Sequence, residues 1–397
     1  MSDLTDPYNA PRSPTLTPAD VLGFDPFDPG FRRDPYGKYR ELRERGDLFH
    51  TRGGLVVATS HEHVSAMLRD PRFGHGHVPP DTDDPDRPQV SFLRLDPPDH
   101  TRLRALVSRA FTPRMLERLR PRVEAITAEL IGAMGEEADL VAEFAYPLPV
   151  LVITEMLGVP PEDYERFRGW SETLARSLDP MLPSGQADTT ERASLEFRAY
   201  FRELLAERRV RPGEDLLSAL TQVRELTEAE LLATCVLLLV AGHETTVNLI
   251  ANGVLNLARH GMLHRAADEP QAVVEEVLRY DPPVQLTART ALREAELGGT
   301  AVPAGTPVMA LVGAANRDPA VFPDPDRFDP GRAPERHLAF GLGIHFCLGA
   351  TLARMEGEIA LRALAAAAPE LKLAEEAPPY KENVVLRGLA RLQVRLS

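Results

Sequence analysis

The sequence predicts a mainly α-helical fold with small β-sheets, built as a single large domain over residues 1–397. Two observations carry that prediction. Thr227 to His260 reads as one long helix: Thr227 and Glu230 form a capping-box pattern, Gly261 supplies the stop, and Leu231 to Ala241 is almost wholly apolar. At 1.5 Å per residue it would be on the order of 50 Å long, and a helix apolar on every side belongs in a core. Around it, helical patterns alternate with only short β-like runs, and no linker-like gap divides the chain.

Composition narrows the function classes. Hydrophobic residues make up 43%, ordinary for a globular protein with a large core. With 45 basic and 59 acidic residues the net charge is −14, and no sustained basic face offsets it, which argues against a nucleic-acid partner. Two cysteines suggest a reducing compartment. Met1 to Asp20 is polar, lacks an apolar signal core and is expected to be flexible. A membrane-spanning reading of the long helix fails because His243 and Glu244 fall at its middle. Lysine occurs only at Lys38, Lys372 and Lys381 while arginine is abundant, which suggests a GC-rich genome. A cytoplasmic bacterial protein is expected.

In chain order, Asp25 to Arg45 opens on prolines and becomes a short amphipathic helix; Gly53 to Ala58 reads as a strand and His61 to Arg69 as a helix. Gly74 to Pro88 has loop composition and is long enough to suspect function. His100 to Arg122 carries seven arginines against Glu117 alone. Such runs are usually solvated helix faces, but His100 and Arg104, at i and i+4, would share a face able to bind carboxylates. Helical patterns follow at Pro121–Met134 and Pro147–Gly158, then two helices within Pro161–Arg209 joined by a polar connection, Asp179–Asp188, suited to a mobile lid or to plain surface disorder. In the long helix, Cys235 reads as core; Gly242 leaves room beside the axis, and Thr245 can return its hydroxyl to the preceding turn. Glu244 beside that hydroxyl is a plausible proton relay. Val284 to Thr290 reads as a strand, Ala301 to Val312 as a hairpin and Asn383 to Val394 as a last hairpin.

The densest chemistry lies in Phe340-Gly341-Leu342-Gly343-Ile344-His345-Phe346-Cys347-Leu348-Gly349, where a glycine-rich loop runs into a helix from Leu348 to about Ala365. A helix N-terminus favours thiolate at Cys347. Gly341, Gly343 and Gly349 would let a flat group approach the backbone, and Phe340 and Phe346 would shield the sulfur. Such a surface suits a haem iron; Cys347 taken alone reads more readily as a buried structural cysteine, and a phosphate-cradling loop is the weaker alternative because Gly341-Leu342-Gly343 lacks the third glycine of the dinucleotide fingerprint.

This string resembles the haem-ligand loop of cytochrome P-450 enzymes of the soluble bacterial class. Ala241-Gly242-His243-Glu244-Thr245-Thr246 is similar to the family's oxygen-groove motif, Glu276-Val277-Leu278-Arg279 to its Glu-x-x-Arg pair, and Asn316 to Pro330 to the segment before the ligand loop. The resemblance spans roughly His100 to Val394. It implies a cytochrome P-450 fold with haem between the long helix and the cysteine loop, and haem b ligated by Cys347. His100, Arg104, Arg289 and His345 would hold its propionates; Phe340, Gly341, Gly349, Ala241 and Gly242 would line it. Glu244 and Thr245 would deliver protons during O2 activation, and Glu276 with Arg279 would form a buried structural pair. Leu237, Val240, Ala241, Val284, Leu286 and Val385 are the substrate-pocket candidates, with the loop after Gly74 covering the pocket. No flavin, iron–sulfur cluster or membrane anchor is expected. Electrons would come from a ferredoxin or flavodoxin with its NAD(P)H reductase, drawn in by the arginine-rich patch, to a monomeric monooxygenase of an apolar polyketide- or macrolide-like substrate. The alternatives are a peroxide-driven peroxygenase and a non-catalytic haem sensor, against both of which the Glu244/Thr245 pair argues.

Overall fold

The computed structural model describes residues 16–76, 91–175, 187–333 and 335–396. The long helix runs from Glu228 to Arg259, and both halves of its capping box form. Thr227 Oγ1 accepts from the Glu230 N–H at 3.2 Å, and the Glu230 carboxylate accepts from the Thr227 N–H at 2.9 Å. It is long and apolar enough to cross a membrane, yet 72% of its most apolar stretch is buried inside the protein. Pro147–Leu157, Pro270–Tyr280 and Ala350–Ala367 pack on this central helix, and Pro113–Ala133 lies against the first and last of them. Leu249, Ile250 and Val254 are buried with Leu361, Leu364, Val273 and Val277 in the shared core, each fully buried side chain contributing roughly 1.5–3 kcal/mol. Gly253 permits the close packing, since a Cβ there would lie 3.1 Å from Leu361 Cδ1.

A five-stranded sheet borders this helical body in the order Leu48–His50, Val56–Ala58, Pro307–Leu311, Leu286–Ala291, Phe73–Gly74. All its pairs are antiparallel except Val56–Ala58 with Pro307–Leu311. Gly74 lies opposite Thr290, so His75 leaves the edge strand beside Arg289. A three-stranded sheet joins Glu137–Asp139, Gln393–Arg395 and Lys372–Leu373.

Several expectations change. Residues 17–20 are ordered: Thr17 caps a helix Pro18–Leu22 through the Asp20 N–H. His100 to Arg122 is two helices, Asp99–Ala110 and Pro113–Ala133, divided at Thr112, which caps the second. Pro121 sits inside that second helix instead of starting one, tolerated at the loss of one ladder bond. Residues 301–312 do not pair with each other. Thr300–Val302 pairs with Ala295–Leu297 across Gly298-Gly299, both at positive φ (56° and 75°), while Pro307–Leu311 joins the large sheet. Paired glycines suit the left-handed residues of a two-residue hairpin turn, a signal the sequence does carry. At the C-terminus a short turn closes through a Tyr380–Leu389 bridge, and Gln393–Arg395 pairs elsewhere. Residues 77–88 of the expected pocket-covering loop and 179–186 of the expected lid lie outside the described residues.

Candidate active site

Cys347 sits two residues before Gly349, which precedes the Ala350–Ala367 helix. Its N–H donates to the Phe340 carbonyl at 2.9 Å, closing the loop on itself. Gly341 and Gly343 take φ of +67° and +69°, and a Cβ on Gly343 would strike the Leu68 carbonyl. These two glycines therefore serve backbone shape and close approach, whereas at Gly349 a Cβ would meet nothing within 4 Å, leaving the clearance expected beside the sulfur. Cys347 has accessible surface although protein surrounds it closely, so it lines a recess and not the outer face. Burial pushes the thiol up, against the opposing pull of the Gly349 N–H and of Arg104 and Arg354. The helix terminus alone thus does not make the thiolate; a metal cation at the sulfur would. Behind the loop, Arg354 stacks over Phe340 at 4.5 Å and donates to Glu275 at 2.6 Å, and His337 lies 3.1 Å from the same carboxylate. Burial raises the Glu275 carboxyl, but these hydrogen bonds win and hold it at about 2.

A basic cluster adjoins the loop. The His345 ring lies 4.2 Å from His100 and 4.9 Å from His75, centroid to centroid. Both ring nitrogens of His100 and His345, and Nε2 of His75, are buried without a hydrogen-bond partner among the described residues. Among the described residues Arg289 donates only to Thr287 Oγ1 and the Ala288 carbonyl of its own strand. Burial lowers every member, Arg289 to about 10 against the pull of Asp96, and repulsion from neighbouring cationic groups lowers the histidines further, His75 to about 4, His345 to about 3, and His100 in the same direction. Asp96 pins the His75 end by accepting from the His75 and Gly76 N–H groups at 2.9 and 2.7 Å. Arg104 is partly committed elsewhere, donating to the Phe346 carbonyl. His75 has no motif in the sequence; only its strand pairing beside Arg289 reveals it. Five arginines of the run, at 102, 109, 118, 120 and 122, pair with Glu230, Glu225, Glu214, Glu117 and Glu129/Glu155, so the expected basic docking patch is largely neutralised from within.

On the central helix, Leu237, Ala241 and Thr245 recur every fourth residue on one partly accessible face amid buried neighbours. The Thr245 hydroxyl donates to the Ala241 carbonyl at 3.0 Å, a back-bond that loosens the ladder. Gly242 does not leave space: a Cβ there would lie 2.8 Å from Ile153 Cδ1. Glu244 pairs with Lys381 Nζ at 2.6 Å, with His243 Nε2 3.7 Å away. Two pocket candidates prove to be core: Val240 is buried in the main cluster, and Leu286 packs with Tyr36, Tyr39 and Leu311. Leu237, Ala241, Val284 and Val385 keep accessible surface. Glu276 and Arg279 form a buried two-bond pair, both contacts 2.7 Å. Arg279 also donates to the Asn316, Pro325 and Arg327 carbonyls, so the pair fixes the segment leading to the cysteine loop.

Comparison with known proteins matches this geometry. A family model described as Cytochrome P450 covers residues 270–365, from the Glu276–Arg279 helix through the Cys347 loop. Cytochrome P450 107B1 of Saccharopolyspora erythraea is 41% identical over 409 residues, spanning 96% of this chain and 99% of that protein. The chain belongs to the cytochrome P450 family. The 6-deoxyerythronolide B hydroxylase of the same organism is 44% identical over 92% of this chain and 97% of its own length. The ligand-free crystal structure of CYP164A2 from Mycobacterium smegmatis superposes with a TM-score of 0.84 at 45% identity, covering 94% and 98% of the two chains. This P450 is a monooxygenase, and the family implies haem iron with cysteine thiolate ligation. The residues fit that group: an accessible Cys347 flanks a cluster of unpaired histidine nitrogens and a buried arginine, the donor set two carboxylates would satisfy.

Proposed function

We propose that this P450 inserts one oxygen atom from O2 into a medium-to-large apolar substrate, by hydroxylation or epoxidation, in biosynthesis of a bacterial polyketide- or macrolide-like product. The observation that carries the reading is the stripe Leu237, Ala241 and Thr245 on the central helix, apolar but for one hydroxyl, with Val284 and Val385 as further accessible apolar side chains. The similarity to a 6-deoxyerythronolide B hydroxylase supports the substrate class.

Cys347 would ligate the iron, and His75, His100, His345 and Arg289 would hold the two carboxylates. When bound, the haem supplies O2 activation. The remaining work falls to side chains of this chain. Apolar Leu237, Val284 and Val385 bind substrate and exclude water. Thr245, its own hydrogen directed to the Ala241 carbonyl, keeps lone pairs free to accept from a water and so holds that proton donor beside the site. Glu244, at the partly exposed Lys381 end, exchanges protons with solvent. Positioned proton transfer of this kind contributes typically ~10²–10⁴-fold. Electrons come from a ferredoxin or flavodoxin with its reductase, in the cytoplasm, to a monomer.

The test is the spectrum of the reduced, carbon-monoxide-bound protein, for the parent and Cys347→Ser. A red-shifted Soret band lost in the variant is expected; a band at the histidine-ligated position in the parent overturns the assignment. Titration with macrolide lactones should shift the parent's Soret band, and a full panel without effect would remove the substrate class.

A further inference from the structure

The C-terminal turn 380–389 climbs the central helix by three rungs, one per helical turn. Lys381 Nζ meets Glu244 at 2.6 Å. Gly388 abuts Asn248 so closely that a Cβ there would collide with the amide. The Arg387 carbonyl accepts from Asn252 Nδ2 at 3.2 Å. Residues 244, 248 and 252 share one helix face at i, i+4 and i+8. Between the rungs the turn is stiff: Lys381 N–H donates to the Gly388 carbonyl at 2.9 Å, and Asn383 Oδ1 accepts from Val385 and Leu386 N–H. Val385 in turn accepts from the Gln285 N–H at 2.9 Å, and Leu386 bridges Val284. The accessible Val385 therefore sits on the same rigid turn as the cation holding Glu244, and Val284 pairs with that turn across the Leu386 bridge.

Three groups face that carboxylate from three elements. His243, on the central helix, lies 3.7 Å away; burial lowers it towards the neutral form, and its Nδ1 is bonded to the Leu239 carbonyl. Tyr146, from the segment before the Pro147–Leu157 helix, packs edge-on against His243 at 5.9 Å, feels the Glu244 charge, is raised chiefly by burial and stays a phenol. Lys381 is the cation paired with Glu244, and its side chain is 28% exposed against 12% for Glu244, so it stands between the carboxylate and solvent.

We infer that Lys381 is the positioning residue of the proton relay: it orients Glu244 towards solvent and ties that orientation to the turn that contacts substrate through Val385. This rests on the relay reading of Glu244 and Thr245. Lys381 gives up no proton in the resting pair; it fixes the acid's geometry, and substrate pressing on Val385 shifts the fixing point.

The test uses haem-loaded parent, Lys381→Met, Lys381→Arg, Glu244→Gln and the double variant, without substrate, driven by spinach ferredoxin and its NADPH reductase. O2 then leaves either as hydrogen peroxide, consuming two electrons and two protons, or as two waters, consuming four of each, so the peroxide fraction reports proton supply. Lys381→Met should raise the peroxide fraction ~2- to 5-fold, the scale of a partly exposed ion pair, and enlarge the D2O effect on O2 consumption. Lys381→Arg should restore both, and the double variant should match Glu244→Gln alone. Amide exchange across 382–388 should quicken in Lys381→Met and Glu244→Gln alike, with or without turnover. If Lys381→Met keeps the parent's peroxide fraction and isotope effect while Glu244→Gln changes them, the inference is wrong and the relay stands. If Glu244→Gln changes neither, the relay itself falls and the inference with it.

Discussion

Glu356 offers a quantitative check on the core beneath the cysteine loop. It lies on the Ala350–Ala367 helix, is fully buried, and neither carboxylate oxygen has a hydrogen-bond partner among the described residues. Burial alone pushes its carboxyl from 4.5 to about 8. The folded value lies above the unfolded one, so stability is fully present below pH 4.5 and is lost as pH rises through about 8. At ~1.36 kcal/mol per unit, the loss is about 3 kcal/mol at pH 7 and about 5 kcal/mol by pH 9, against a total of roughly 5–15 kcal/mol for a typical fold. Glu356→Gln removes the titration and nearly preserves shape. Urea unfolding of holoprotein followed by circular dichroism, at pH 5 and pH 9, should show the variant's advantage over the parent growing by ~4 kcal/mol across that range. A parent–variant difference that stays flat with pH would mean that Glu356 is ionised and partnered in the folded protein, and would refute the reasoning.

Three further outcomes are expected. Arg279→Leu leaves a buried Glu276 without its bidentate partner and strands three carbonyls, so unfolding midpoints should fall by an amount equal to about 3–5 kcal/mol; a change under ~1 kcal/mol would contradict a structural role for the pair. Gly343→Ala forces a Cβ into the Leu68 carbonyl at positive φ, costing ~1–2 kcal/mol locally before the collision is counted. Haem occupancy after purification should drop with far-UV dichroism intact, and full occupancy would argue that the loop can flatten. His75→Ala removes one donor of the basic cluster; transfer of haem to excess apomyoglobin should speed up ~10-fold or more, the scale of one charge-assisted hydrogen bond, and an unchanged rate would exclude His75 from the carboxylate site.

The site was legible in the sequence unevenly, and the pattern has a physical basis. Cys347, Glu276–Arg279 and Ala241–Thr246 sit in short strings whose chemistry is local: a loop turning into a helix, an i,i+3 pair, a hydroxyl returning to the previous turn. Gly341 and Gly343 were visible as glycines, but their reason was not, because the Leu68 carbonyl that excludes a Cβ at Gly343 comes from a helix some 275 residues earlier. Gly242 reads as clearance in the sequence, yet Ile153, from another helix, fills the space. Val240 and Leu286 read as pocket residues but pack in the core for the same reason, since apolar residues on one helix or strand do not announce which neighbour covers them.

By itself the sequence determined the elements, because caps, periodicity and glycine stops act within a few residues: Thr227 with Glu230 set where the central helix begins, and the helix follows. It also determined the axial-ligand candidate and the family. Tertiary structure alone decided which distant groups meet. Strand pairing of Gly74 with Thr290 carries His75 to Arg289 and His345, and the 380–389 turn lays Lys381 on Glu244, 137 residues away along the chain. The same packing turned an apparently basic helix into a paired one by supplying acids from elsewhere, Glu230, Glu225 and Glu214 among them. Charge and burial depend on distance through space, and distance through space is what one dimension of sequence leaves open.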